Sequence, residues 1–186
     1  MRRIATSDDA YFATFTVVDW VDVFTRQEYK QYMVENLKIC QERKGLILHA
    51  YVIMTNHIHL IGEIVNGKTM SDWFRDFKSF TSKGLFKLIS ENPAESRKQW
   101  MTDLFRKHGR ENELNLDFQI WQNGSHPTVL YPQYPKMIAQ KINYIHQNPV
   151  RAGFVDDPTH YLYSSAHPHS PLKMNGSCYY SSSEDA

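Results

Sequence analysis

Two histidines and their spacing are the first chemical signal in this 186-residue chain. His57 and His59 lie in the apolar segment 51–64, YVIMTNHIHLIGEI, which predicts two short strands joined at Thr55-Asn56. Because residues i and i+2 of a strand project to one face, both imidazoles face the same way. Two neutral imidazoles on one rigid strand form half of a divalent-metal site. The same pattern also fits two half-buried polar residues on a sheet face.

The second signal is a tyrosine and an asparagine in a predicted helix that begins at Lys136 and ends before Pro149. Tyr144 and Asn148 are four residues apart, so they lie on one helix face. If this helix packs beside the histidine strand, Asn148 supplies a third ligand oxygen and Tyr144 points its hydroxyl at a metal-bound phosphate. Such a ligand set leaves the full positive charge on the ion, which suits Mg²⁺ or Mn²⁺. Alternatively, Tyr144 is an ordinary helix tyrosine and Asn148 caps the end of the helix.

These four side chains together would suit phosphoryl transfer. A tyrosine hydroxyl is a poor nucleophile at its free pKa near 10, so it needs a polarised electrophile and a route for its proton. Attack on a phosphodiester would give a 5′-phosphotyrosyl link and a free 3′ hydroxyl, and a 3′ hydroxyl of another strand could reverse the reaction. A metal hydrolase that uses His57, His59 and His146 to activate water is a competing interpretation.

Residue periodicity predicts the elements that must position this site. Alternating apolar residues favour strands, and apolar residues at helical spacing favour helices. The predicted strands are 11–18, 46–54, the histidine strand and 118–121, and the helices are 25–44, 69–89 and the tyrosine helix. Their order suits an α+β, ferredoxin-like split βαβ fold, an antiparallel sheet with helices on one face.

Composition indicates one domain over residues 1–170, with a polar insertion around 91–117 that holds a helix near 99–107, and a mobile tail over 171–186. The apolar runs are too short to span a bilayer and the amino terminus lacks a signal-peptide core, so we expect no membrane partner and a cytoplasmic location. Cys40 and Cys178 have no CxxC partner, which argues against a zinc knuckle or a disulfide scaffold.

The formal net charge is only +1, but it is unevenly distributed. Residues 66–110 contain ten Lys and Arg against five Asp and Glu. This third of the chain is therefore either an electropositive face or a solvated helix surface with a charged loop.

The two motifs together resemble a known family. A strand with N-H-I-H-L and a later Y-I-H-Q-N-P-V-R-A-G resemble the single-tyrosine transposases of the HUH nuclease superfamily, especially those associated with repetitive extragenic palindromes. His57 and His59 match the His-hydrophobe-His motif, Tyr144 matches the nucleophile and Asn148 matches the third metal ligand. The segment 161–166, YLYSSA, is similar to a serine-rich motif that closes many such domains. The resemblance covers roughly residues 11–166.

This resemblance implies an HUH endonuclease fold, a divalent metal, and single-stranded DNA with a hairpin that is cut by tyrosine attack. A domesticated, non-cleaving nucleic-acid-binding protein of the same fold is the alternative. A homodimer and a monomer both remain open.

Basic and aromatic side chains would suit such a substrate. The candidate phosphate contacts are Arg75, Lys78, Lys83, Arg106, Lys107, Lys141 and Arg151, and the candidate base-stacking residues are Trp121, Tyr131 and Tyr134.

Overall fold

The computed structural model describes residues 9–65, 67, 69–114, 116–124 and 127–175. Four strands and four helices make up this part of the chain. In chain order they are β1 (Ala10–Thr16), α1 (Gln27–Arg43), β2 (Leu46–Ile53), β3 (His57–Ile64), α2 (Met70–Glu91), α3 (Lys98–Glu111), β4 (Thr128–Leu130) and α4 (Pro135–Arg151). Short 3-10 turns lie at Val18–Trp20, Val23–Thr25 and Pro158–His160.

The strands form one sheet in the order β2-β3-β1-β4, in which every neighbouring pair is antiparallel. Strands β1 and β2 run parallel on either side of β3, which is the split βαβ arrangement. The predicted α+β fold with an antiparallel sheet is therefore confirmed. The helices, however, lie on both faces of the sheet and not on one as predicted, since Phe15 and Phe12 of β1 reach α2 and α4 from opposite faces. The predicted hairpin at Thr55-Asn56 is also present, because Ile53 pairs with Ile58 and the Met54 amide donates to the His57 carbonyl at 2.9 Å.

Strand β1 sends alternate side chains to two different layers. Phe15 lies on one face, where its ring stacks on Phe74 of α2 at a centroid distance of 4.2 Å. Phe12 lies on the other face, where its ring contacts His59 at 5.4 Å and Tyr144 of α4 at 6.1 Å. Helices α1 and α2 pack against each other, whereas α4 crosses the face on which both imidazoles lie.

The last strand differs from the prediction. Residues 118–121 make only one isolated bridge, between Val17 and Trp121, and the fourth strand is the three-residue segment β4. The aromatic residues of FQIW pack on α2 instead, since Phe118 stacks on Phe86 at 4.1 Å and the Trp121 indole donates to Thr81 at 3.0 Å. The segment therefore pairs only briefly with the end of β1, where the Val18 amide donates to the Ile120 carbonyl at 2.8 Å, and its aromatic side chains pack on a helix.

The end of α4 also differs from the prediction, because the helix continues through Pro149 to Arg151. A proline in the last turn removes only one intrahelical hydrogen bond. The end of the helix remains hydrogen-bonded, since the Ala152 amide donates to the Asn148 carbonyl at 3.0 Å.

The predicted insertion contains α3, which is longer than the helix expected near 99–107. Beyond α4, the Ile53 amide donates to the Tyr163 carbonyl, and the Ser165 amide donates to the Tyr51 carbonyl, so this segment runs along the free edge of β2. Leu172 is buried. Most of the predicted tail, with Cys178, lies outside the described residues. Among the helices of the described ranges, none has the length and apolar character needed to cross a membrane.

Candidate active site

The two histidines of β3 form a close pair on the sheet face that α4 crosses. Their ring centroids are 4.7 Å apart. His59 is only 5% exposed, its ring stacks on Phe12, and its Nδ1 lies 2.8 Å from the Thr14 hydroxyl. Two side chains of the neighbouring strand β1 thus hold His59 in place. The contact with Thr14 uses Nδ1, so Nε2 is the ring nitrogen that remains for a metal.

A chain of hydrogen bonds orients His57. The Asn56 amide nitrogen donates to the Asp22 carboxylate at 2.9 Å, which turns the Asn56 oxygen toward His57 Nδ1 at 2.7 Å. A neutral His57 ring therefore carries its proton on Nδ1 and presents a lone pair at Nε2.

The Asn148 amide oxygen lies 3.3 Å from this His57 Nε2. Its orientation follows from the other end of the same amide, which donates to the Tyr144 carbonyl at 3.4 Å. In the neutral ring, two acceptors thus face each other, an arrangement that a bound cation would satisfy. In the described part of the chain no group of three or more His, Cys, Asp or Glu side chains is suited to a metal, so an amide is the third donor that the geometry offers.

Both imidazoles are held in the neutral form. Burial, with smaller contributions from the nearby His57 and Lys141, lowers the pKa of His59 to about 3. Burial also lowers the pKa of His57, although the contact with Asn148 opposes that change. Since only a neutral imidazole nitrogen can bind a metal, the pair is ready to bind one at neutral pH.

Tyr144 lies at the mouth of this site, with 37% of its surface exposed. Its ring centroid is 5.2 Å from that of His59. Two cations flank the same ring: the Lys141 ammonium lies 5.9 Å and the Arg151 guanidinium 5.7 Å from its centroid. The exposed phenol therefore lies in a positively charged part of the surface, which suits the approach of an anionic phosphodiester.

The other predicted DNA contacts are not at this site. Arg75, Lys78 and Lys83 are on α2, which packs on the opposite sheet face, and they line a cavity of about 420 Å³ next to residues 116–123. The Lys78 ammonium donates to the Gln122 carbonyl at 2.9 Å, and burial lowers its pKa to about 8.

Arg106 and Lys107 lie on α3, where they face Asp103 at 3.7 Å and Glu111 at 3.9 Å. Whether any of these side chains binds DNA stays a prediction.

The structure also bears on the predicted base-stacking residues and on the role of His146 as a metal ligand. Trp121 is 3% exposed, so it cannot stack a base, while Tyr134 is 56% exposed. His146 directs its Nε2 to the Ser165 hydroxyl at 2.9 Å and not to the histidine pair.

Sequence reasoning missed the contact that the loop after β1 makes with His57. The Trp20 indole contacts the His57 ring edge-on at 5.8 Å and is 58% exposed. Asp19 and Trp20 have φ values of 51° and 55°, in the left-handed region. A non-glycine residue held there costs on the order of 1–3 kcal/mol, and such residues cluster at functional sites. No sequence pattern signals this strain.

Comparison with known proteins is consistent with this geometry. A family model described as IS200-like transposase matches residues 10–109, which include the histidine pair and end before α4. No curated protein matches the chain at a significant level.

Two solved structures are similar to this chain. The structure of a REP-associated tyrosine transposase bound to a REP hairpin has a TM-score of 0.59 and 18% identity, with 90% of this chain and 82% of that chain covered. A putative transposase from Deinococcus radiodurans R1 has a TM-score of 0.43 and 13% identity, with 77% of this chain and 96% of that chain covered. The first likeness shows that the two chains share a fold.

Proposed function

Since this chain belongs to the IS200-like transposase family, we propose that it is a metal-dependent endonuclease and strand transferase acting on single-stranded DNA near hairpins. Tyr144 is the proposed nucleophile, and the product is a 5′-phosphotyrosine.

One observation carries this proposal. His57 and Asn148 are 91 positions apart in the chain, yet β3 and α4 bring their donor atoms within 3.3 Å. The His59 and Tyr144 rings approach each other in the same place. A core tyrosine and a capping asparagine would not be expected to converge on a pair of imidazoles.

We assign the metal to His57, His59 and Asn148. The donor set fits, because the lone pair at His57 Nε2 and the Asn148 oxygen face each other with only a long contact between them. When bound, Mg²⁺ or Mn²⁺ withdraws charge from the phosphate oxygens and stabilises the departing oxygen. Asn56 and Thr14 hold the two imidazoles in place through their Nδ1 atoms.

Tyr144 performs the bond exchange. Its hydroxyl oxygen attacks phosphorus, the bond from phosphorus to the 3′ oxygen breaks, and the tyrosine proton ends on the departing 3′ hydroxyl. Lys141 and Arg151, whose cations lie 5.9 Å and 5.7 Å from the centroid of the Tyr144 ring, attract the incoming phosphate. The phosphotyrosyl bond keeps the ester energy, so a 3′ hydroxyl of a second strand can reverse the attack and join the strands.

The proposed substrate is hairpin-bearing single-stranded DNA. The solved transposase that shares this fold was bound to a REP hairpin. In this chain, the exposed mouth of the site, flanked by Lys141 and Arg151, can admit a flexible phosphate backbone.

The test is a covalent-adduct assay with Tyr144→Phe. The protein is incubated with Mn²⁺ and labelled oligonucleotides that carry a hairpin with single-stranded flanks, and adducts are resolved on denaturing gels. We expect an adduct in the wild type that is lost in the variant and in EDTA. Phenylalanine keeps the ring contacts with His59 and Phe12, so only the hydroxyl is removed. Tyr134→Phe is the control, since Tyr134 is also exposed.

Two results would contradict the proposal. Cleavage that survives Tyr144→Phe would indicate a metal hydrolase that activates water. Tight, metal-independent binding with no adduct in the wild type would indicate a non-cleaving nucleic-acid-binding protein.

A further inference from the structure

Trp20 is a large aromatic side chain that lies exposed at the edge of the candidate active site. Its indole is 58% exposed, while the imidazole of His57, which it contacts edge-on, is partly buried. Burying such a ring would bring a substantial hydrophobic gain. In the described structure Trp20 instead leaves more than half of its surface exposed to solvent.

The backbone forces this exposure. Val18 and Val21, on either side, are 3% and 5% exposed, so both anchor the turn in the core. Between them, two consecutive left-handed residues turn the chain outward. For a bulky residue such as tryptophan this conformation is a genuine outlier. The strained turn therefore places the Trp20 side chain at the surface.

Two contacts hold the turn in this strained form. Asp19 accepts a hydrogen bond from His108 of α3 at 2.8 Å. Asp22 accepts one from Asn56, the same residue that orients His57. The turn is therefore held by His108 of α3 and by Asn56, which also binds His57. These two contacts fix the position of Trp20 relative to the site.

We infer that Trp20 is a stacking platform for a base of single-stranded DNA next to the phosphate that Tyr144 attacks. This inference rests on the proposed function. A base of single-stranded DNA has a free π-face, and stacking on an aromatic side chain tolerates any base. A nucleotide whose phosphate sits between the histidine pair and Tyr144 would have its own or its neighbour's base within reach of an indole beside His57.

The experiment measures how strongly binding depends on bases. All proteins carry Tyr144→Phe, so that binding is measured without cleavage. The probes are a labelled 12-nucleotide oligothymidylate and an abasic strand of equal length, with the same phosphates, in Mn²⁺. Trp20→Ala and Trp20→Phe are compared with Trp100→Ala, which removes another tryptophan of similar exposure, 56%.

We expect the unsubstituted Trp20 protein to prefer thymidylate over the abasic strand, and Trp20→Ala to reduce that preference about tenfold or more. Trp20→Phe should restore part of the preference, and Trp100→Ala should leave it unchanged. Affinity for the abasic strand and the salt dependence of binding should not change, because no phosphate contact is removed.

Three results would overturn the inference. The first is an equal preference in Trp20→Ala and Trp100→Ala. The second is weaker binding of Mn²⁺ and of both strands in Trp20→Ala, which would make the indole a support for His57. The third is no preference for bases in any protein. The adduct assay tests the proposed function separately. If the wild type forms an adduct but Trp20→Ala keeps the full preference for bases, only this inference is refuted. If Trp20→Ala loses that preference but the wild type forms no adduct, only the proposed chemistry is refuted.

Discussion

The substitution Glu95→Gln would remove the charge that pairs with Arg26 and Arg97, and would so weaken the connection between the loop after β1 and the start of α3. The Glu95 side chain is fully buried and accepts hydrogen bonds from Arg26 Nε at 2.9 Å and Arg97 Nε at 3.0 Å. Arg97 also donates to the Asp22 carbonyl at 2.9 Å and to the Thr25 hydroxyl at 3.1 Å. One buried carboxylate therefore fixes the segment that orients His57 through Asn56.

The pKa of Glu95 gives the size of the expected effect. The hydrogen bond from Arg97, with a smaller contribution from Arg26, lowers this pKa from 4.5 to about 2. At about 1.36 kcal/mol per pH unit, the charged carboxylate contributes about 3 kcal/mol to stability. Because the folded-state pKa is lowered, this contribution is complete above pH 4.5 and is lost as the pH falls toward 2. By pH 3 about 2 kcal/mol of it is gone.

Urea unfolding at pH 7 and pH 3 measures this effect. Glu95→Gln should lower the free energy of unfolding by about 3 kcal/mol at pH 7, a midpoint shift of about 1–3 M. The difference from wild type should shrink to about 1 kcal/mol at pH 3. Glu91→Gln, at an exposed position, is the control. A loss below about 1 kcal/mol at pH 7, or an equal loss at both pH values, would refute the reasoning.

Two more outcomes follow from the geometry. Gly109→Ala should destabilise the protein by about 1–3 kcal/mol, against the usual helix preference, because the new Cβ would lie 2.5 Å from the Leu116 carbonyl oxygen and the Phe118 Cα; an unchanged or raised Tm would contradict this. Because burial lowers the pKa of both His57 and His59, protons compete with Mn²⁺ only below the ordinary imidazole range. The Mn²⁺ affinity measured by calorimetry should therefore change little between pH 8 and 6.5. Two ordinary imidazoles would instead lose affinity steeply just below pH 6.5, and such a loss would contradict the prediction.

Local periodicity was enough to predict much of the fold. The alternation around His57 and His59 placed them on one strand face, and the spacing of Tyr144 and Asn148 placed them on one helix face. Such patterns depend only on the geometry of a single element. The position of α4 across the histidine face was predicted from the chemistry that the four residues suggested together, and not from periodicity.

Features set by contacts between elements could not be predicted. The alternation of FQIW suits a strand, but its aromatic rings found partners on α2, and the three-residue β4 is too short to give a pattern. The left-handed Trp20 and the orientation of Asn56 depend on Asp22, Val18 and Val21 being anchored at the same time. No single stretch of sequence contains that information.

The two-sided character of β1 limits how this protein can change. Phe12 and Thr14 touch His59, while Phe15 on the reverse side stacks on α2. Deleting or inserting one amino acid within this strand would exchange the two sets of side chains. A related protein could therefore lose Tyr144, the proposed nucleophile, and still fold. It could not shift the register of its first strand without losing both the contacts that hold His59 and the packing on α2.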